Sequence, residues 1–297
     1  MLTIDPSELG NPKLHHYLLG AVGPRPICFA STIDKNGIPN LAPFSFFNVF
    51  SSNPPVAIFS PAKSGRTGQQ KDTYNNVKSI PEVVINLVNY NMVEKMSLAS
   101  SPYNPEINEF IKSGLTPVKS ESIRPFRVKE SPVQMECEVF NVVELGESGG
   151  AGNLIMCKIK RIHVQEEILD KNNMIDQQKI DLVSRMGGNW YCRTDANSMF
   201  EIVKPITTCG IGVDNIPEEI LNSKILTGND LGKLGGIEVL PDETAVNEYK
   251  LIELSELFIE LESHPSELEN KLHQIAKSLL QKDKLEEAWK TLLTFNN

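Results

Sequence analysis

The chain has 297 residues, 40% of them hydrophobic and 23% charged, enough for one large domain with an appendage or for two modest ones. No apolar run reaches the roughly 18–20 residues of a membrane span. The start, Met1-Leu2-Thr3-Ile4-Asp5-Pro6, lacks the basic and then apolar segments of a secretory signal. The net charge of −9 falls within residues 206–297, which hold 8 Lys, no Arg and 17 Asp and Glu, while residues 1–205 balance 21 charges of each sign. An acidic surface repels phosphates, so this distribution argues against nucleic acid as a partner.

The charge step predicts a domain boundary near Pro205. Five cysteines (Cys28, Cys137, Cys157, Cys192 and Cys209) are scattered, odd in number and without Cys-x-x-Cys or metal-ligand spacing. They read as reduced thiols in a cytoplasmic protein.

In chain order, Ile27–Ile33 reads as a strand and Asp34-Lys35-Asn36-Gly37 as a hairpin turn. Ile38–Val49 contains a further strand interrupted by Pro43, a residue suited to a sheet edge or bulge. Val56–Ser60 and Val83–Val88 have the short apolar texture of buried strands, and Gln134–Val142 and Leu154–Val164 alternate in parts. Short helices are predicted over Lys71–Ser79, Met92–Ser100 and Glu106–Ser113. Many short strands without regular β-α-β alternation predict a closed or partly closed antiparallel barrel.

After Pro205, residues 211–240 read as a glycine-rich connector. Helical periodicity begins at Asn247 (Leu251, Leu254, Leu257, Phe258, Leu261). It resumes after Pro265 (Leu268, Leu272, Ile275, Leu279, Leu280) and again after Asp283, expected as an N-cap. About three short helices with an acidic outer face follow, read as a structural or oligomerisation appendage or as a module that docks a partner.

Three clusters carry candidate chemistry. Gly23-Pro24-Arg25-Pro26 fixes the backbone on both sides of an arginine, either aiming it at a ligand or stiffening the lead-in to a strand. In Asn40-Leu41-Ala42-Pro43-Phe44-Ser45-Phe46-Phe47-Asn48, Ala42 permits close approach of a flat ligand, and Asn40, Ser45 and Asn48 offer donors and acceptors. Lys71-Asp72-Thr73-Tyr74-Asn75-Asn76 sets a cation, a hydroxyl and free backbone N–H groups at a predicted helix start, a phosphate cradle, with Asp72 as a possible cap. Ser60-Pro61-Ala62-Lys63-Ser64-Gly65-Arg66-Thr67-Gly68 adds hydroxyls and cations. His163, like His15 and His16, is a lone histidine of the kind that is more often packed than catalytic.

Taken in order, these clusters resemble the flavin reductase-like family of FMN-binding split-barrel proteins over residues 15–205. Ser31-Thr32, Asn53-Pro54-Pro55, Glu109-Phe110, Gly114-Leu115-Thr116, Glu130-Ser131-Pro132 and Arg185-Met186-Gly187-Gly188-Asn189-Trp190-Tyr191 continue the match. The resemblance implies a mainly β split barrel with helical insertions over residues 1–205, followed by an acidic, mainly helical extension over 206–297. It implies a homodimer with FMN near the subunit interface. The phosphate would lie against Lys71, Thr73 and the Ser60–Ser64 loop, and Asn40, Ala42 and Ser45 would line the ring or ribityl chain. Arg25, Pro26, Ser31 and Asn76 would stand nearby, and Arg185 and Tyr191 would contribute from further off. Redox chemistry belongs to the flavin, so no catalytic acid or base is assigned. One departure stands out: shorter members carry Gly-Asp-His, whose histidine goes with nicotinamide use, where this chain has Gly152-Asn153-Leu154. Electrons would pass from a reductant such as NAD(P)H to a flavin or other small acceptor. Alternatively the protein is an electron carrier that docks redox proteins, or a barrel that has exchanged flavin for another ligand.

Overall fold

A computed structural model of the protein describes residues 1–295. It divides into two compact units, Met1–Phe200 and a second beginning at Glu201. The first unit opens with helix α1 (Asn11–Ala21) and continues through strands β1 (Cys28–Ile33), β2 (Pro39–Phe44), β3 (Phe47–Ser52) and β4 (Pro55–Phe59). Helix α2 (Asp72–Ser79), strand β5 (Glu82–Leu87) and helices α3 (Val93–Ala99) and α4 (Glu109–Ser113) follow. A short ribbon, β6 (Pro117–Val118) with β7 (Arg127–Val128), leads to the long strands β8 (Val133–Glu144) and β9 (Asn153–Val164). A final hairpin joins β10 (Val183–Arg185) to β11 (Tyr191–Arg193).

The main sheet has the order β2-β1-β5-β8-β9-β4-β3, with every neighbouring pair antiparallel. Its two edges are β2 and β3, which are consecutive in the chain and separated only by Ser45 and Phe46. Two residues span no more than about 11 Å. The sheet must therefore curl until its edges nearly meet, a barrel split between β2 and β3. Pro43 lies on edge strand β2, opposite Phe29, where its missing N–H costs no ladder bond. On the same strand the Leu41 N–H is taken by the buried Glu109 carboxylate at 3.0 Å.

Both faces of β1 are buried, which is why Ile27–Ala30 is apolar on successive residues rather than alternating. Cys28 and Ala30 point into the barrel with Phe59, Ile85, Cys137, Ile155 and Cys157. Phe29 points outward into a second cluster with Leu41, Met92, Met96, Phe110 and Val128, beneath α3 and α4.

The second unit is helical: α5 (Glu218–Leu221), α6 (Gly228–Leu234), α7 (Glu243–Glu253), α8 (Ser255–Glu260), α9 (Pro265–Gln281) and α10 (Leu285–Leu293). Its core gathers Ile216, Ile220, Leu234, Leu280 and Leu292 around Trp289, whose indole N–H donates to Leu234 O at 3.0 Å. Two expectations need correction here. The 211–240 connector contains α5 and α6; the latter forms despite its glycines because Thr227 and Asp230 make a reciprocal capping box. Asp283 does not cap α10. It adopts φ +54° and closes α9: the Asp283 N–H donates to Leu280 O at 3.2 Å and the Lys284 N–H to Leu279 O at 3.0 Å, the paired bonds of a Schellman motif.

Candidate functional site

The sequence clusters converge at the split of the barrel. Thr32, Asn40 and Ala42 share the inward parity of β1 and β2. The Asn40 amide donates to Thr32 Oγ1 at 3.1 Å and to Thr73 Oγ1 at 3.0 Å, and the Asn76 amide donates to Thr32 Oγ1 at 3.1 Å. Of these five residues all but Ala42 are buried. This network clamps the first turn of α2 to the barrel wall. It uses Thr73 Oγ1 as an acceptor, which leaves the Thr73 hydroxyl proton as a donor beside its backbone N–H.

No side chain caps α2. Lys71 itself occupies the N-cap position and Asp72 is the first helical residue, so the expected Asp72 cap does not form. The orphan N–H groups of the first turn and the helix dipole therefore favour an anion. Lys71 and Arg66 are exposed and in no ion pair among the described residues. The loop before α2 is held in shape independently of any ligand. Ser60 N–H donates to Phe46 O at 2.8 Å, Lys63 N–H to Ala151 O at 2.9 Å and Gly150 N–H to Lys63 O at 3.0 Å. Ser64 Oγ accepts from Thr67 N–H at 3.2 Å. The fully buried Asn153 donates to Pro61 O and to Gln70 Oε1, both at 2.8 Å. At Gly152 a β-carbon would lie 2.7 Å from Ser60 Oγ, so glycine is what lets the two loops meet.

Other expected residues are placed differently. The Arg25 guanidinium is buried and turned away from solvent. It donates to Leu19 O at 2.9 Å, to Val22 O, to Met186 O at 3.0 Å and to Ser45 Oγ at 3.4 Å. Burial, with Arg185 nearby, pushes its pKa below the usual guanidinium range. Arg25 thus caps the last carbonyls of α1 with its guanidinium; Pro26 beside it is exposed. Ser31 points to the opposite face of β1 from Thr32, fully buried on the side of Phe29, and its hydroxyl has no partner among the described residues. Arg185 pairs through its backbone with Arg25 and stacks 4.5 Å over the Tyr191 ring, leaving both on the β10–β11 hairpin.

His163 is also accounted for: its Nε2 lies 2.8 Å from Oε1 of the fully buried Glu136. Burial alone would raise the Glu136 pKa, but hydrogen bonds from Ser122, the Glu121 N–H and His163 bring it down to about 2. Among the described residues no group of three His, Cys, Asp or Glu is placed to hold a metal, and no helix is long and apolar enough to cross a membrane.

Comparison with known proteins gives this arrangement a family. The profile of the flavin reductase like domain matches residues 21–180. The chain belongs to the flavin reductase-like family. An uncharacterised protein of Aquifex aeolicus is 38% identical over 186 residues, covering 63% of this chain and 92% of that protein. Nitrilotriacetate monooxygenase component B from Bacillus cereus superposes with a TM-score of 0.64 at 30% identity, over 68% of this chain and 98% of that one. The 2-nitrobenzoate 2-nitroreductase of Pseudomonas fluorescens does so with a TM-score of 0.63 at 25% identity, over 71% and 100%. Family membership brings a flavin cofactor and flavin oxidoreductase chemistry in general.

Proposed function

We propose that the protein is an FMN-dependent oxidoreductase that moves electrons from a reductant, NAD(P)H among the candidates, to a flavin or other small acceptor. The observation that carries this reading is the uncapped start of α2, flanked by Lys71 and Arg66, which make no ion pair among the described residues, and fixed to the barrel through Asn40 and Thr73. A helix start with two free cations suits a phosphomonoester such as that of FMN. Asn40, Ala42, Ser45, Ser60 and Ser64 line the approach from the phosphate end toward the β2–β3 split, and Asn76 supports them from behind. Hydride and electron transfer are chemistry the flavin supplies when bound. The chain's own part is to bind the phosphate, orient the ring along β2 and restrict water around it.

The exposed Phe46, Val49 and Phe50 at the β3 edge support a homodimer built on this side of the barrel. Five free cysteines suit a reducing, cytoplasmic setting.

A second reading, a carrier that docks redox proteins, draws on the Gly152-Asn153-Leu154 stretch. Asn153 is fully buried in loop contacts, and no histidine stands in this stretch to meet a nicotinamide. Anaerobic mixing of the FMN-loaded protein with NADH and with NADPH, followed by flavin absorbance, separates the two. Rapid bleaching by either supports the reductase; bleaching only by a reduced protein donor supports the carrier.

A further inference from the structure

A surface helix is ordinarily held by an apolar stripe pressed on the core. Helix α1 has 11 residues and buries none of them. Besides the half-buried Leu14 and Leu19 it is held at three points, the first two of them on the walls of the site described above. At its start the Asn11 side-chain amide donates to Gly149 O at 2.9 Å. Gly149 in turn lies against the Ser60–Ser64 loop: a β-carbon there would be 2.9 Å from Ser64 O. Gly150, with φ +89°, leaves the space that the Asn11 amide fills. Midway, the His15 ring stands edge-on to Phe46 at a centroid distance of 6.3 Å, at the residue that bridges the barrel split. At its end, Arg25 grips Leu19 O and Val22 O while also reaching Met186 O and Ser45 Oγ, and Gly187 approaches so closely that a β-carbon would be 3.0 Å from Gly20 Cα.

We propose that α1 is a strap laid across the mouth of the flavin site, with Asn11 as its latch and Arg25 as its hinge, and that it lifts to let FMN enter and leave. This rests on the flavin reading above. The two ends differ in strength. The hinge is a buried guanidinium with four acceptors, whereas the latch is a single neutral hydrogen bond between exposed groups. No residue of α1 is fully buried, and Leu14 is the half-buried apolar side chain in its first half, so lifting the Asn11 end breaks chiefly that bond and one ring contact and uncovers little apolar area. Asn11 is thus a positioning residue for the cofactor, acting through α1.

The test uses the full chain loaded with FMN. The FMN off-rate is measured by displacement in stopped flow, and amide hydrogen exchange over residues 11–21 is measured with and without FMN. Asn11→Ala and Asn11→Asp, which both lose the donor, should raise the off-rate about 3- to 10-fold, the worth of one neutral hydrogen bond. Asn11→Gln, which keeps it, should recover most of the difference. FMN should slow exchange in residues 11–21 of the wild type, and less so in Asn11→Ala. Tight FMN binding with an unchanged off-rate in Asn11→Ala, or with α1 exchange indifferent to FMN, would overturn the strap and leave the flavin reading standing. A wild-type chain that takes up no FMN would overturn both.

Discussion

The side-chain amide of Asn40 lies 3.0 Å from Thr73 Oγ1, a bond that ties edge strand β2 to the first turn of α2. The helix start that faces the ligand is thereby positioned by the barrel wall. Replacing Asn40 with Ala leaves two buried threonine hydroxyls short of a donor and should cost about 1–3 kcal/mol of stability, read by urea unfolding. Asn40→Asp is expected to fold yet bind FMN far more weakly, because it sets a carboxylate beside the anion site. Equal FMN affinities for Asn40→Asp and wild type would detach this network from the site.

Lys71 tests the anion site itself. Losing one charge-assisted hydrogen bond removes about 1.5–3 kcal/mol, or roughly ten- to hundredfold in affinity. Fluorescence titration with FMN should return that loss for Lys71→Ala and a smaller one for Arg66→Ala, both shrinking as salt rises. Riboflavin, which lacks the phosphate, should bind the variants and the wild type alike.

Gly152 should not tolerate a side chain without a change at Ser60. In Gly152→Ala the new methyl meets Ser60 Oγ at 2.7 Å, so the serine must rotate or the loop must move. A loss of about 1–3 kcal/mol in stability is expected from such overpacking, together with weaker FMN binding. Ser60→Gly in the same chain should restore much of the stability, which a pair of thermal melts would register.

Glu136 predicts how the barrel responds to acid. Its folded pKa of about 2 lies below the ordinary 4.5, so the carboxylate contributes stability that is whole above about pH 4.5 and is lost as the pH falls toward 2. The shift corresponds to about 3 kcal/mol. Urea unfolding across that window should show a steep loss for the wild type and a shallower one for Glu136→Gln, which starts less stable. Parallel pH profiles would mean that the cluster of Ser122, His163 and Glu136 is not what acid attacks.

How much of this was legible in the sequence depended on what each residue touches. The barrel strands were readable from short β-branched and apolar stretches such as Val83–Ile85 and from the partial alternation of β8 and β9, and Pro43 announced an edge because it cannot donate. The start of α2 was readable from its composition. Helix α1 was not, since it is short, buries no residue fully, and its Leu14, Tyr17 and Leu18 are set among two histidines and a glycine. Helix α6 hid behind its glycines, although Thr227-x-x-Asp230 was a capping signal within reach. The capping role of the Arg25 guanidinium was not readable, because the carbonyls it reaches, at Leu19, Val22 and Met186, leave no mark in a sequence. Ser31 was grouped with Thr32 although adjacent strand residues face opposite ways; the alternation with Phe29 would have separated them.

FMN held at the start of α2 is the central claim. Titrating the purified full chain with FMN, while following flavin absorbance and fluorescence, tests it most directly. Saturation is expected at one FMN per chain, with affinity reduced about ten- to hundredfold by Lys71→Ala, as one lost charge-assisted hydrogen bond requires. A colourless protein that takes up no FMN, or one that binds it with undiminished affinity after Lys71→Ala and Arg66→Ala together, would contradict it.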